Sequence, residues 1–179
     1  MSSPATTDVW QAIAREAVAE SPLWRDTLKP EDDRDPEPVF SPLAEERFAL
    51  GLETIYEGYL VHYGVPRVFA PPDPDTALLL GDYLYAHGLV RVASFGDVDA
   101  VGHLSELISL CSQLRAENAA GDGPLWAATA TVLGRRRLDE GRASLRLDND
   151  PGPLERLARE AAGDRKVSRS LDAHRARLR

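Results

Sequence analysis

Apolar side chains recur at intervals of three and four residues along most of this chain, the spacing that lines one face of an α-helix. Val9 to Val18, capped by Asp8 and stopped before Pro22, predicts a short first helix. Ser41-Pro42 supplies a cap and a proline suited to a first helical position, so a second helix is expected from there to about Tyr63. Its apolar face carries Phe48, Leu52, Ile55, Tyr59 and either Leu60 or Tyr63. A third helix starts at Asp73-Pro74, and Leu78, Leu79, Leu80, Tyr83, Leu84 and Tyr85 cover nearly its whole girth, which predicts a central position. The fourth runs from Val98 to about Glu117 along Val101, Leu104, Leu107, Ile108, Cys111 and Leu114. A fifth is expected over PLWAATATVLGRRRLDEG, and a weakly apolar last one from Leu154 to about Ala162, with fraying from Gly163 onward. Period-2 runs and hairpin dipeptides are missing, so the expected fold is all-α, an antiparallel helical array.

Two glycine pairs, Gly51 with Gly58 and Gly81 with Gly88, each lie seven residues apart on one line of their helix. Glycine weakens a helix interior by up to about 1 kcal/mol, so a close approach between neighbouring helices is the expected compensation. The segment SPLWRDTLKPEDDRDPEPVFSP holds five prolines and reads as a linker or ordered surface arm. The expected organisation is therefore residues 1–40 as a short helix and a proline- and acid-rich arm, residues 41–135 as the helical core, and residues 136–179 as a basic helical tail.

Charge refines this picture. The net value of -8 divides into -8 over residues 1–60, -5 over 61–134 and +5 over 135–179. The basic tail is interleaved with acids and attached to an acidic body that repels a polyanion, so no nucleic-acid partner is expected. The N-terminal residues lack the pattern of a secretory leader and the chain has one cysteine, from which a cytoplasmic location is expected, with at most peripheral membrane contact. Cys111 lies on an apolar stripe and is expected to be a buried thiol. Asp32, Asp33 and Asp35 sit in a proline-rich turn without the fixed geometry a hard cation needs, and His103 has no second ligand at metal-site spacing. No metal site and no catalytic residue are expected on this chain. His62 and His87 form the one constellation to check for acid–base work.

Three stretches then combine. ETIYEGYLVHYGVPR at 53–67, ALLLGDYLYAHGLVRVA at 77–93 and ELISLCSQ at 106–113 resemble, in order, three helices of the trans-isoprenyl (polyprenyl) diphosphate synthases. The resemblance covers roughly residues 50–113 and implies a partial isoprenoid-synthase-like fold. Members of that family hold Mg²⁺ on an aspartate-rich motif, which activates an allylic diphosphate as a leaving group. Here the corresponding positions are Tyr63, Gly64 and Arg67, and Asp148 and Asp150 lie in LRLDNDPGP with the wrong spacing for a second motif. The resemblance is closest to the small non-catalytic subunits of two-component hexaprenyl and heptaprenyl diphosphate synthases. It implies a subunit that shapes a product-elongation pocket with no cofactor of its own, Mg²⁺ belonging to a catalytic synthase partner. Candidate pocket or interface residues are Tyr56, Tyr59, Leu60 and Tyr63 on one helix and Tyr83, Leu84 and His87 on the next. Asp82 matches the family's helix aspartate and is expected in an interhelical hydrogen bond or ion pair, with Arg91 as one candidate partner. An incomplete ring of helices implies uncovered apolar surface on the third helix, and hence a heterodimer with the synthase or a homodimer. The alternative is a stand-alone helical binding protein for a prenyl chain or another hydrophobic ligand, or for a protein partner.

Overall fold

Helices α1 (Pro4–Glu20), α2 (Pro22–Arg25), α3 (Ala49–Tyr63), α4 (Pro74–Ala93), α5 (Val98–Ala116), α6 (Asp122–Val132), α7 (Asp139–Asp148), α8 (Gly152–Ala162) and α9 (Asp164–Arg177) follow one another in a computed structural model, which describes residues 4–135 and 138–178. Among the described residues there is no β-strand, only two isolated bridges, Leu28 to Phe69 and Gly64 to Leu178. The fold is all-α.

The centre is α3 rather than α4. Every residue from Gly51 to Val61 is buried, so the helix has no face in water. On one side, Phe40, Phe48, Leu52, Ile55, Tyr56, Tyr59 and Leu60 join α5 and α6 through Leu104, Leu107, Cys111, Leu125 and Trp126. On the other, Val61 packs with Trp10, Ile13 and Trp24 of α1 and α2 and with Leu80 and Leu84 of α4. α4 expected to be central has an outer face instead: Leu78 and Leu79 are each 56% exposed and Val90 is 66% exposed.

The glycines explain how α3 and α4 come so close. Gly51 meets Gly88 and Val92, while Gly58 meets Gly81 and Leu84, so this pair runs antiparallel. A methyl group at Gly51 would lie 2.7 Å from Val92 Cγ2 and 3.2 Å from the Gly88 carbonyl oxygen; one at Gly58 would lie 2.9 Å from the Gly81 carbonyl oxygen. At Gly81 and Gly88 an added Cβ would overlap the His62 ring and the Ile55 side chain.

Four boundaries differ from expectation. Ser41-Pro42 opens a 3₁₀ turn, Ser41–Leu43, which ends where Ala44 turns extended (ψ 172); after a second turn at Glu46–Phe48 the α-helix starts at Ala49. α1 extends beyond both ends of the predicted helix, from Pro4 to Glu20. PLWAATATVLGRRRLDEG is not one helix: Leu133 leaves helical geometry and Gly134 has φ +72, separating α6 from α7. LRLDNDPGP is helical as far as Asp148, where Asn149 adopts the left-handed conformation (φ 53) that caps α7. The largest difference is in the tail. Beyond Gly163 the chain does not fray but forms α9, whose Val167, Ser170, Leu171 and His174 recur at helical spacing and are buried. Its four buried positions are separated by so many charges that the stripe is hard to see in the sequence.

The proline-rich arm is held against the loop that follows α3. Lys29 N donates to the Val68 carbonyl (3.0 Å), Ala70 N to the Thr27 carbonyl (2.7 Å) and Asp35 N to the Arg67 carbonyl (3.2 Å). Cys111 is buried, and desolvation raises its thiol pKa well above the ordinary value, so it behaves as a small apolar side chain.

Candidate functional site

Two acids, Glu53 and Glu57, occupy consecutive turns of the wholly buried α3 and are satisfied by one cation, Arg67. Arg67 Nη1 donates to Glu53 Oε2 (2.6 Å) and Nε to Glu57 Oε2 (3.0 Å); Nη1 and Nη2 also reach the carbonyls of Glu37 (3.2 Å) and Glu53 (3.3 Å). The other carboxylate oxygens accept from the backbone. Glu53 Oε1 takes the N–H groups of Val39 (3.2 Å) and Ser41 (3.1 Å), and Glu57 Oε1 those of Arg67 and Val68 (each 2.8 Å). The guanidinium lies between the Trp10 and Tyr56 rings, 4.3 and 4.9 Å from their centroids. Burial alone would lower the arginine pKa, but the two carboxylates outweigh it and raise it. These three side chains clip arm, central helix and loop together, and they carry no group free to react. Gly64 is engaged through its backbone: its N–H donates to the Leu60 carbonyl (2.9 Å), it bridges to Leu178, and a Cβ would lie 2.5 Å from the Arg177 carbonyl oxygen. Tyr63, Gly64 and a buried, fully committed Arg67 do not fit a Mg²⁺ ion, which takes carboxylate oxygens.

A second polar group lies where α3, α5, α6 and α9 meet. Asp122, the first residue of α6, accepts from the Tyr59 hydroxyl, from Arg115 Nη2 and, through Oδ1, from Gly123 N (3.0 Å). Arg115 Nε also donates to Tyr59 Oη (2.9 Å). The ring of His174 lies within this group: Nδ1 is 2.9 Å from Tyr56 Oη, while Nε2 stands 3.6 Å from Asp122 Oδ2 and makes no hydrogen bond. Burial pushes the Asp122 carboxyl up, but His174, the Tyr59 hydroxyl and Arg115 override it and hold the acid well below the usual carboxylate range. Burial and the Asp122 charge push the Tyr59 phenol far above its ordinary value, and burial does the same to Tyr56. Neither phenol is poised to lose its proton. Above this group opens a recess of about 480 Å³ bounded by α5, the turn before α6, α8 and α9.

The residues singled out from the sequence fall into three environments. Tyr56, Tyr59 and Leu60 are fully buried and Leu84 is 1% exposed; they fill the core rather than face an open cavity. Tyr56 and Tyr59 stack at 5.9 Å, with Trp126 edge-on to Tyr56 at 5.1 Å. Tyr63 is half-buried, with its hydroxyl 3.4 Å from Ser112 Oγ at a shallow depression beside Arg115. Tyr83 stacks on Trp24 (5.5 Å) and on His87 (5.3 Å), and His87 Nε2 lies 2.9 Å from Glu16 Oε2. His62 faces Gly81 and Asp82 instead, so the two histidines have different surroundings and form no acid–base pair. Asp82 is not a buried acid. Its side chain is 67% exposed, yet it makes the expected interhelical approach, to His62 Nε2 of α3 at 3.3 Å, while Arg91 pairs with Glu16 instead.

Sequence reasoning missed Glu53, Glu57, Arg115, Asp122 and His174. The first two left a readable signal: acids one turn apart inside an apolar helix require a buried cation. The others join segments distant in the chain, and no local pattern connects them. Comparison with protein-family models, with curated proteins and with solved structures finds no match to this chain.

Proposed function

We propose that this chain acts by binding, without chemistry of its own, as the accessory subunit of a heteromeric polyprenyl diphosphate synthase, and that it meets its catalytic partner through the outer face of α4. The observation that carries this reading is Arg67. It stands where the resemblance puts a metal-binding carboxylate, and it is sealed between Glu53 and Glu57 with no exposed surface. The antiparallel α3–α4 pair is in keeping with a partial isoprenoid-synthase-like array. Leu78, Leu79 and Val90, exposed along α4 beside Ala86 and Ala93, supply apolar area for a helical partner, with Asp82 among them as a single charge for register. The expected pocket-lining role shifts accordingly. Tyr56, Tyr59, Leu60 and Leu84 are committed to this chain's own core, so the subunit would act by docking, and any effect on product length would come through the partner.

The test is co-expression with a full-length synthase from the same cell, followed by size exclusion with light scattering. A one-to-one complex is expected, and Leu79→Asp combined with Val90→Asp should abolish it without changing the helical circular dichroism. Purified alone, the chain should not condense isopentenyl and farnesyl diphosphates with Mg²⁺. Turnover by the isolated chain, or a monomer that ignores the synthase, overturns the reading. A homodimer broken by the same substitutions would instead identify α4 as a self-association face. The recess beneath α9 favours the second reading, a stand-alone binding protein for a small molecule.

A further inference from the structure

We propose that the recess bounded by α5, α6, α8 and α9 binds a small organic anion, an acidic head group on an apolar body. Its volume, about 480 Å³, falls within the range of small-molecule sites. The lining combines apolar surface from Ala119, Pro124, Leu171 and Leu178 with charged groups of both signs. The sign of the ligand follows from which of those groups are already engaged.

Each acid is engaged by a neighbouring donor, although Asp172 stays largely exposed. Asp122 is taken by Tyr59, Arg115 and Gly123 N, and Glu155 Oε1 accepts from Arg159 Nε (3.0 Å) and Nη2 (2.7 Å). Asp172 pairs with Arg175 at the rim. The donors are less fully engaged. Arg115 bonds through Nε and Nη2, leaving Nη1 without a partner among the described residues, and Arg175 bonds only through Nη2. Ser168 Oγ accepts from Arg159 Nη1 (3.0 Å) and keeps its own proton to donate. His174 is only 1% exposed, and its Nε2 faces Asp122 Oδ2 at 3.6 Å, with no hydrogen bond among the described residues. Gly123 preserves space at that ring edge, since a Cβ there would lie 3.1 Å from His174 Cδ2 and 3.2 Å from Leu171 Cδ2. The cavity therefore presents guanidinium and hydroxyl donors, from Arg115, Arg175 and Ser168, beside the N-terminus of α6, whose backbone dipole also favours an acceptor. Guanidinium groups at floor and rim suit either a carboxylate or a phosphate. This site is separate from α4, and the proposal stands whether or not α4 docks a synthase.

The test is isothermal titration of the full chain with octanoate, octyl phosphate, octylamine and inorganic phosphate. Saturable one-site binding is expected for octanoate, octyl phosphate or both, and the preferred member identifies the head group. Octylamine and inorganic phosphate should bind at least about tenfold more weakly, the loss of a charge-assisted contact or of the buried apolar body. Ala119→Phe, which fills the apolar side of the recess, should abolish binding, and Arg175→Gln at the exposed rim should weaken it several-fold. Thermal melts of both variants verify that they fold; should Ala119→Phe unfold, Ala120→Trp at the exposed edge replaces it. The proposal is overturned if neither alkyl anion binds, if octylamine binds as well as they do, or if folded recess variants bind unchanged.

Discussion

Arg67 shows how one residue can reverse the meaning of a motif. Set against the resembled motif it reads as a missing metal ligand; in the fold it is, among the described residues, the cation that pairs with two buried carboxylates. Removing one partner of such a buried group costs about 3–5 kcal/mol, because the remaining charge is left unpaired. Arg67→Met should lower stability by that amount in urea titrations. Arg67→Asp, which restores the resembled motif letter, should unfold the protein instead of conferring Mg²⁺ binding, since three carboxylates would then share one dry site. Histidines give a pH signature at the same scale. Burial lowers the pKa of His62, with Asp82 opposing it only in part, and burial with Arg142 lowers that of His103, whose Nδ1 accepts from Gly134 N at 3.4 Å. A depressed folded-state pKa means that the unfolded chain takes up protons first, from about pH 6.5 downward. Stability is thus fully present above that value and is lost as pH falls through it toward the folded-state pKa values. Denaturation midpoints at pH 7.5 and 5.5 should differ, and His62→Gln with His103→Gln should flatten the difference. Sequence alone singled out His87 as the neighbour to check for His62 and not Asp82, because which face of a fully buried helix meets which partner is not written in its periodicity.

Helix existence was legible wherever the apolar stripe was broad, as in α3, α4 and α5, and so were the glycine lines that set their spacing. What escaped was α9, where Val167, Leu171 and His174 hold a helix half of whose residues are charged, and the break at Gly134, whose positive φ no neighbouring residue announces. The centrality of α4 was misjudged for a related reason. A helix can be apolar all round because a second surface awaits a partner, and hydropathy does not separate that from a core. Glycine substitutions test the element-level account. Gly88→Ala would force Ile55 and the Gly51 carbonyl apart and should cost about 1–3 kcal/mol. Gly102→Ala, in α5 with nothing within 4 Å of its missing Cβ, should stabilise by about 0.5–1 kcal/mol. Opposite shifts of the thermal midpoint from the same chemical change would separate close helix contact from helix propensity.

At the scale of the molecule, arm, core and tail are buried against one another. The arm shares hydrogen bonds with the loop after α3, and α9 places His174 among Phe40, Tyr56 and Tyr59. Val167→Asp should therefore damage the whole structure rather than loosen a tail: an unpaired charge in that buried position costs about 3 kcal/mol or more. The melting temperature should fall by about 6–12 °C, and Trp126, fully buried beside Tyr56, should show red-shifted fluorescence. An unchanged emission maximum would mean that α9 is dispensable to the core.

The bridge between Gly64 and Leu178, with Val65 N donating to the Arg177 carbonyl at 2.8 Å, also sets a timetable for biosynthesis. A ribosome that has just released the end of α3 must add more than a hundred residues before the strap closing that end exists. At about 5–20 residues per second, this leaves a nascent chain with Tyr56 and Tyr59 of α3 unroofed for roughly 6–23 s. Through that interval the aromatic heart of the protein is the surface a chaperone would meet.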